Sequence, residues 1–172
     1  MASSWTAPRT WTSATLTAAQ MNLDVRDNTT WLATDKPNWY LARTAVQSIP
    51  NSTVTAISFD SETIDAYGGG GMHSNSTNPS RVTVPVAGNY LVGLYGNFDV
   101  NSTGYRLIEP YYNGSAIGAP MVANGFTGVN TTVAVTWFIR CAAGAYLEMK
   151  VQQTSGGNLD VTPYFWGFWF NS

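Results

Sequence analysis

The last residues of the chain are apolar on both sides of a predicted strand. Six of the seven residues from Tyr164 to Phe170 are aromatic. Because side chains alternate between the faces of a strand, one face would carry Tyr164, Trp166, Phe168 and Phe170, and the other Phe165, Gly167 and Trp169. A half-buried antiparallel strand needs only one apolar face. We therefore expect the chain's own core to cover one face and another copy to cover the second, in an obligate oligomer.

From Trp39 onward, apolar and polar positions alternate in short runs, which predicts an all-β domain. The predicted strands cover residues 39–46, 52–59, 81–84, 89–99, 104–112, 115–122, 131–141, 145–152 and 161–170. Many short strands separated by turn residues are typical of a two-sheet sandwich or jelly roll. Pro110, Pro120 and Pro163 interrupt three of them, which favours an edge or a strand end for those segments.

One helix is predicted before the β-domain, over about residues 17–34. Thr17 and Gln20 have the spacing of a capping box, in which each side chain bonds the other's backbone N–H. A mostly apolar stripe follows at spacings of three and four, formed by Ala18, Met21, Val25, Asn28 and Leu32. The helix ends before Pro37, because a proline disfavours helical geometry at the residue preceding it.

Two packing arrangements are open for this stripe. It could lie against the β-domain of its own chain, or it could form a short parallel bundle on an oligomer axis with Asn28 as the polar residue that sets the register. About two heptads are too few to associate unaided, so a bundle would need the β-domain or another protein to hold it. Either arrangement divides the chain into an N-terminal segment, residues 1–38, and a globular domain, residues 39–172.

Composition excludes several classes of function. Only 10% of the residues are charged, against an average of about 25%, and the net charge is −2. We expect no nucleic-acid partner, because no basic stripe would neutralise phosphates. The aromatic run is too short to cross a bilayer, and no basic amphipathic segment suggests a membrane surface, so we expect no membrane insertion.

The single cysteine and the first residues bear on localisation. Cys141 has no intrachain partner and is expected to be a small buried hydrophobic residue. Residues 1–5 lack the basic and apolar regions of a signal peptide, although the Ser-, Thr- and Asn-rich composition is common in extracellular proteins. A virion protein, assembled in the host cytoplasm and released by lysis, would reconcile these features.

Candidate chemistry is sparse, and we expect no enzyme activity, no catalytic residue, no cofactor and no metal. His73 is the only histidine, and local hydrogen bonding is favoured over a ligand or interface contact. Asp60, Glu62 and Asp65 form the densest acidic group. They are expected to be solvated loop carboxylates, with calcium binding as the alternative.

Three tyrosines are candidates for stacking on a sugar. Tyr95, Tyr111 and Tyr112 lie in predicted strands, where a role in the core is favoured over a place on a receptor-binding surface.

Two motifs resemble one family of jelly rolls. Residues 82–92, which contain Pro85, Gly88 and Tyr90, and the closing residues 165–168 are similar to signatures of complement-globular-head and tumour-necrosis-factor-like domains. The resemblance implies a ten-stranded, homotrimeric jelly roll whose last strand faces neighbouring subunits. It places the trimer interface at Tyr90, Tyr164, Trp166, Phe168, Trp169 and Phe170. Gly144-Ala145 departs from the family's Gly-Asp, so no acidic or calcium-related role is carried over to that turn.

The N-terminal segment has a resemblance of its own. The spacing of Trp5, Pro8, Arg9 and Trp11, followed by residues 16–22 and 26–28, is similar to the opening of many phage tail and minor structural proteins. Segment 47–80 also resembles loops of phage-borne jelly rolls. The residues that this resemblance implies for docking to the virion are Trp5, Pro8, Arg9, Trp11, Met21, Val25, Asn28 and Leu32.

Together these features predict a structural protein of a bacteriophage virion. It would be a homotrimeric fibre, knob or tail-tip protein that binds other virion proteins through residues 1–38 and contacts a host cell-surface glycan or protein through its loops. The alternatives are a capsid decoration or head-fibre protein and a stand-alone carbohydrate-binding module.

Overall fold

The computed structural model describes residues 6–7, 10, 15–68 and 70–171, and within them the chain is mostly β. Its strands are β1 (Asn38–Ala42), β2 (Gln47–Ile49), β3 (Thr55–Ala56), β4 (Ser61–Ala66), β5 (Arg81–Thr83), β6 (Gly88–Phe98), β7 (Tyr105–Tyr112), β8 (Ser115–Ala116), β9 (Met121–Asn124), β10 (Thr131–Cys141), β11 (Tyr146–Gln153) and β12 (Leu159–Asn171).

The strands form two antiparallel sheets, as expected for a jelly roll. In the first sheet the order is β10-β6-β12-β1-β4, and β2 pairs with the beginning of β12. In the second sheet the order is β3-β11-β7-β8, with β5 paired to β11 and β9 paired to β7. The last strand therefore lies in the middle of the first sheet, between β6 and β1.

The strand predictions fail in four places. β2 was missed, because Gln47–Ile49 lies between the predicted strands 39–46 and 52–59. β4 was missed, because Ser61–Ala66 is an edge strand and carries mostly polar, exposed residues. The predicted strand 52–59 shortens to β3, and 115–122 divides into β8 and β9 around Pro120. The described residues contain twelve strands, of 2 to 13 residues, where the family resemblance implied ten.

Pro110 and Pro163 lie inside long strands, not at an edge or a strand end as expected. Pro163 pairs with Gly96 of β6, but on the other side of β12 it falls between the segment that pairs with β2 and the segment that pairs with β1. Pro110 similarly falls between the parts of β7 that pair with β9 and β8. A proline has no N–H to donate to a neighbouring strand. Both Pro110 and Pro163 lie in a gap between two pairing segments, where no backbone N–H is needed.

Inward-facing side chains of both sheets make one hydrophobic core. Tyr90, Val92 and Leu94 of β6 are at most 1% exposed, as alternation along the strand requires. Val161 and Phe165 of β12 join them. The second sheet contributes Val82, Ile108, Leu147, Met149 and Val151.

Two tryptophans lie on glycines directly across from them in the first sheet. On the core side, Trp39 of β1 pairs with Gly167 of β12, and a Cβ on that glycine would lie 2.3 Å from the indole ring. On the outer side, Trp166 pairs with Gly93 of β6, and a Cβ there would lie 2.0 Å from the Trp166 ring. Each glycine thus lets a large ring lie flat on the sheet.

The N-terminal helix is continuous from Ala18 to Asp35. It comprises the α-helical Ala18–Met21 and Asn28–Thr30 and the π-helical Asn22–Asp27 and Trp31–Asp35. The capping box is confirmed, since the Thr17 hydroxyl accepts the Gln20 N–H at 3.2 Å and the Gln20 side chain accepts the Thr17 N–H at 2.8 Å. The predicted end before Pro37 also agrees.

The face that the helix uses differs from the predicted stripe. Trp31 is 2% exposed and meets Trp169 edge to face, with 4.9 Å between ring centroids. Asn28 is also buried, and its amide bonds the backbone of Thr6, accepting from N–H at 2.9 Å and donating to the carbonyl at 3.1 Å. Asn28 is therefore committed within its own chain and does not set the register of a bundle. Met21, Val25 and Leu32 remain 43–49% exposed.

We predict that Gly167→Ala destabilises the fold by about 1–3 kcal/mol, the usual cost of overpacking a core. The new methyl group would collide with Trp39, which is only 2% exposed and cannot move outward. Chemical denaturation measures the change in the free energy of unfolding. Gly157→Ala is the matched control, because a Cβ there meets no atom within 4 Å. Equal stability of the two variants would contradict the packing argument.

Candidate functional site

The centre of the outer face of the first sheet is an uncharged surface rich in aromatic side chains, bordered by Arg140 in the next row. Three central rows of paired residues cross the sheet, each in the strand order β10, β6, β12, β1 and β4. The first row is Phe138, Leu91, Phe168, Asn38 and Ala66, and the second is Thr136, Gly93, Trp166, Tyr40 and Ile64. The third row is Ala134, Tyr95, Tyr164, Ala42 and Ser61. These rows contain no charged side chain. We call this surface, together with Phe170, the aromatic face.

Ring contacts organise the aromatic face. Tyr164 lies 5.5 Å from Tyr95 and 5.9 Å from Tyr40, measured between ring centroids, and Trp166 stacks near Phe168 at 6.5 Å. The rings nevertheless remain open to solvent, because Phe168 is 38% exposed. Phe138 and Phe170, in edge-to-face contact at 5.5 Å, are each 57% exposed. Contiguous exposed apolar surface of this kind marks an interaction site.

Four of the six residues predicted for the trimer interface lie on this face, and two do not. Tyr90 was misplaced: it is fully buried in the core, and its hydroxyl donates to the Val86 carbonyl at 2.7 Å. Trp169 points to the same inner side as Phe165 and packs against Trp31. On the inner side of β12, the chain's own helix therefore covers Trp169 where the core ends.

The predicted docking residues divide into three groups. Trp5, Pro8, Arg9 and Trp11 lie outside the described residues. Met21, Val25 and Leu32 are exposed on the helix, and Asn28 is buried against Thr6. The exposed side chains form an apolar stripe beside the face that packs on the β-domain.

Asp60 and Glu62 are exposed, as expected of solvated carboxylates, but Glu62 and Asp65 lie on strand β4 and not in a loop, and all three carboxylates take part in hydrogen bonds. Asp60 accepts from the backbone N–H of Thr44 at 2.7 Å and from its hydroxyl at 2.9 Å, and these bonds, the backbone one foremost, lower the pKa of Asp60. Asp65 accepts from the N–H groups of Met72 at 2.8 Å and His73 at 3.2 Å. Within the described part of the chain, no cluster of three or more histidine, cysteine, aspartate or glutamate side chains is arranged to hold a metal ion.

His73 fastens the loop that follows β4, as its predicted local hydrogen bonding requires. Its side chain is fully buried. Nδ1 lies 2.7 Å from a Glu62 carboxylate oxygen, and Nε2 lies 3.0 Å from the Pro79 carbonyl. These two contacts of His73, together with the backbone N–H groups that Asp65 accepts, fix residues 71–79 against β4. The carboxylates of an edge strand thus shape a loop that neighbours the second sheet.

Cys141 and the three candidate tyrosines each make contacts within the chain's own fold. Cys141 is buried, and desolvation raises its pKa to about 11, which confirms a small hydrophobic residue over a reactive thiol. Tyr95 belongs to the aromatic face. Tyr111 lies under the Lys150 ammonium at 4.1 Å, and the Tyr112 hydroxyl accepts the Ala142 N–H at 3.0 Å.

Sequence reasoning missed Arg106, a fully buried cation. Its guanidinium donates to the carbonyls of Asn101, Thr103 and Tyr105 at 2.7–3.1 Å, which closes the loop before β7. Desolvation lowers its pKa. Alternation along the strand could have located it, because Arg106 is two residues from the buried Ile108 and therefore faces the core as well.

Comparison with solved structures identifies the fold, whereas no protein-family model and no curated protein sequence matches the chain. The globular domain of a zebrafish complement 1qA protein has a TM-score of 0.55 at 11% identity, over 80% of this chain and 100% of that chain. The Eiger TNF from S. frugiperda has a TM-score of 0.56 at 10% identity, over 80% and 94%. The PRD1 vertex protein P5 has a TM-score of 0.56 at 13% identity, over 80% and 99%.

These likenesses show that the fold is a jelly roll of the complement and tumour-necrosis-factor type, as the sequence motifs implied. The third of these proteins is named as a vertex protein. Among the described residues, no helix combines the length and apolar character needed to span a bilayer.

We predict that Asp65→Ala loosens residues 71–79. The N–H groups of Met72 and His73 would lose a charged acceptor worth about 1.5–3 kcal/mol per bond, so their amide hydrogen exchange should accelerate by roughly tenfold or more. Asp99→Ala removes an equal charge from an exposed position and should leave both rates unchanged. Unaltered exchange in the Asp65 variant would show that the loop holds its shape by other means.

Proposed function

We propose that this chain is a structural component of a bacteriophage virion, in which it forms a homotrimeric fibre, knob or tail-tip protein that takes part in host-surface attachment. In this arrangement the aromatic face joins the three subunits. Residues 1–38 bind other virion proteins, and the loops of the jelly roll face the host. The protein contributes assembly and recognition, with no enzymatic step.

The aromatic face is the observation that carries the proposal. It spans five strands without a charge, and its most exposed rings, Phe138 and Phe170, meet at its edge. Burying such a surface against identical copies would remove apolar area from water in every subunit, the dominant favourable term in association. The homotrimeric neighbours of the same fold support three copies over two.

The helix supports the docking role. Met21, Val25 and Leu32 present apolar side chains that its own β-domain does not use, while Trp31 packs the helix against that domain. Asn28 instead ties Thr6 of the N-terminal segment to the helix. A partner that binds the stripe would therefore be connected rigidly to the jelly roll. This geometry suits a protein that links a particle to an outward-facing domain.

A capsid decoration or head-fibre protein is the second candidate. The structural likeness to the PRD1 vertex protein P5 favours it, because a vertex is a location on a particle's shell. The two candidates share the trimer and the docking helix and differ in whether the loops contact the host.

We predict that the unmodified protein has the mass of three chains in dilute buffer and that Phe168→Asp is monomeric. The substitution would place a charge at the centre of the aromatic face, where burial without a partner is costly. Sedimentation equilibrium measures the mass. Val122→Asp is the control, since Val122 is 48% exposed on the second sheet. A monomeric unmodified chain, or a trimeric Phe168 variant, would refute the interface.

We further predict that Val25→Asp abolishes incorporation into particles while the trimer persists. Phage carrying the variant gene would be purified, and the amount of the protein per particle measured by quantitative mass spectrometry. Leu23→Asp is the matched control, because residues two apart lie on nearly opposite sides of a helix and Leu23 is 40% exposed.

The same particles separate the two candidate functions. Particles lacking the protein should adsorb poorly to host cells if it is an attachment protein, and normally if it only decorates the shell. Absence of the unmodified protein from purified particles would overturn the virion assignment itself.

A further inference from the structure

A polar pocket lies away from the aromatic face, where the anchored loop meets the second sheet. Its volume is about 330 Å³, within the range of small-molecule sites. The loop supplies His73, Ser74, Thr77 and Asn78, and the strands supply Arg81 of β5 and Tyr146 of β11. Hydroxyl, amide and guanidinium groups therefore surround a space that is open to solvent.

The Arg81 guanidinium is held in one orientation. Its central carbon lies 4.1 Å from the centroid of the Tyr146 ring, and its Nε donates to a Glu148 carboxylate oxygen at 3.3 Å. Glu148 is 5% exposed and also accepts from the Ser80 hydroxyl at 3.0 Å, so it cannot swing away. Within the described residues, the two terminal nitrogens of Arg81 have no recorded hydrogen-bond partner. Stacking and the Nε bond thus orient a fork whose ends remain available.

The loop wall of the pocket is built before any ligand arrives. His73 is anchored to Glu62 and to the Pro79 carbonyl, and the Thr83 N–H donates to the Met72 carbonyl at 2.7 Å. Asn78 adopts a φ of 52°, a left-handed conformation that asparagine tolerates, and its carbonyl accepts the Arg81 N–H at 2.9 Å. A preformed wall lowers the entropy cost of binding.

Among the described residues that line the pocket, Arg81 is the one arginine or lysine, and no carboxylate lines it. Glu148 is shared by two cations, Arg81 and Lys150, the latter at 3.7 Å. The two nearby carboxylates on β4 are occupied, Glu62 by His73 and Asp65 by backbone N–H groups. Arg81 therefore offers the charged group that a ligand in the pocket would meet first.

We infer that this pocket binds an acidic sugar, with its carboxylate on the terminal nitrogens of Arg81 and its hydroxyls on Ser74, Thr77 and Asn78. A guanidinium fork matches a carboxylate in bidentate geometry, and hydroxyl and amide side chains suit the rest of a sugar. The assignment of this sugar to a host surface rests on the proposed attachment function, whereas binding by the purified protein does not.

The test uses the full-length protein, with D-glucuronate and D-glucose as probes in NMR titrations. Glucuronate should bind saturably and shift the amide signals of residues 73–81, at least about tenfold more tightly than glucose. Arg81→Gln should abolish this preference, and Arg81→Lys should weaken it, because an ammonium keeps the charge without the fork. Arg26→Gln removes the same charge from a side chain that is 65% exposed on the helix, and should bind as the unmodified protein does.

A second variant guards against a folding defect at Arg81. Asn78→Asp replaces the side-chain amide by a carboxylate, and aspartate tolerates the same backbone conformation. Because this carboxylate would repel the carboxylate of glucuronate, the affinity for glucuronate should fall by about tenfold. Equal affinities for glucuronate and glucose, or unchanged binding in both pocket variants, would overturn the inference.

Particle adsorption distinguishes this inference from the proposed function. Failure of glucuronate binding in a protein that still trimerises and mediates adsorption would remove the pocket and leave the attachment role standing. Saturable binding by a protein that is absent from particles would support the pocket and remove the virion role.

Discussion

Aromatic side chains on both faces of β12, combined with its central place in the first sheet, are the constraint on which the rest of the structure depends. A strand flanked by β6 and β1 can pair on both sides only if its backbone is extended throughout. Alternation then sends Phe165 into the core and Trp166 outward. The helix must cover Trp169 on the inner side, and the outer side remains as a surface.

Much of this arrangement could be predicted from the sequence, and the failures have two different causes. Long strands with one apolar face, such as β6 and β10, were predicted to within a residue or two, because their signal lies in the strand itself. β4 was missed because an edge strand buries little and needs few apolar residues. Tyr90 was misplaced for a different reason: the family motif was given weight over the parity that aligns it with Val92 and Leu94.

The candidate sites depended more on contacts distant in sequence. The capping box and the exposed aromatic face follow from local spacing, and both were predictable. The roles of Glu62 and Asp65 were not, because each depends on a loop residue eight to eleven positions away. Likewise, Arg81 and Tyr146 meet only because β5 pairs with β11. Nothing in the neighbourhood of either residue indicates that pairing.

The consecutive residues Trp166 and Gly167 have a consequence for how this protein evolves. One supplies a ring to the outer surface and lies on Gly93, and the other leaves room for Trp39 in the core. Because they are adjacent on one strand, a shift of the backbone that accommodates a change at either position displaces the other. The stability of the core and the shape of the aromatic face are therefore inherited as a single trait at this point. In the proposed trimer, lineages that alter their subunit contacts would have to do so elsewhere on the sheet, or change both tryptophan–glycine pairs together.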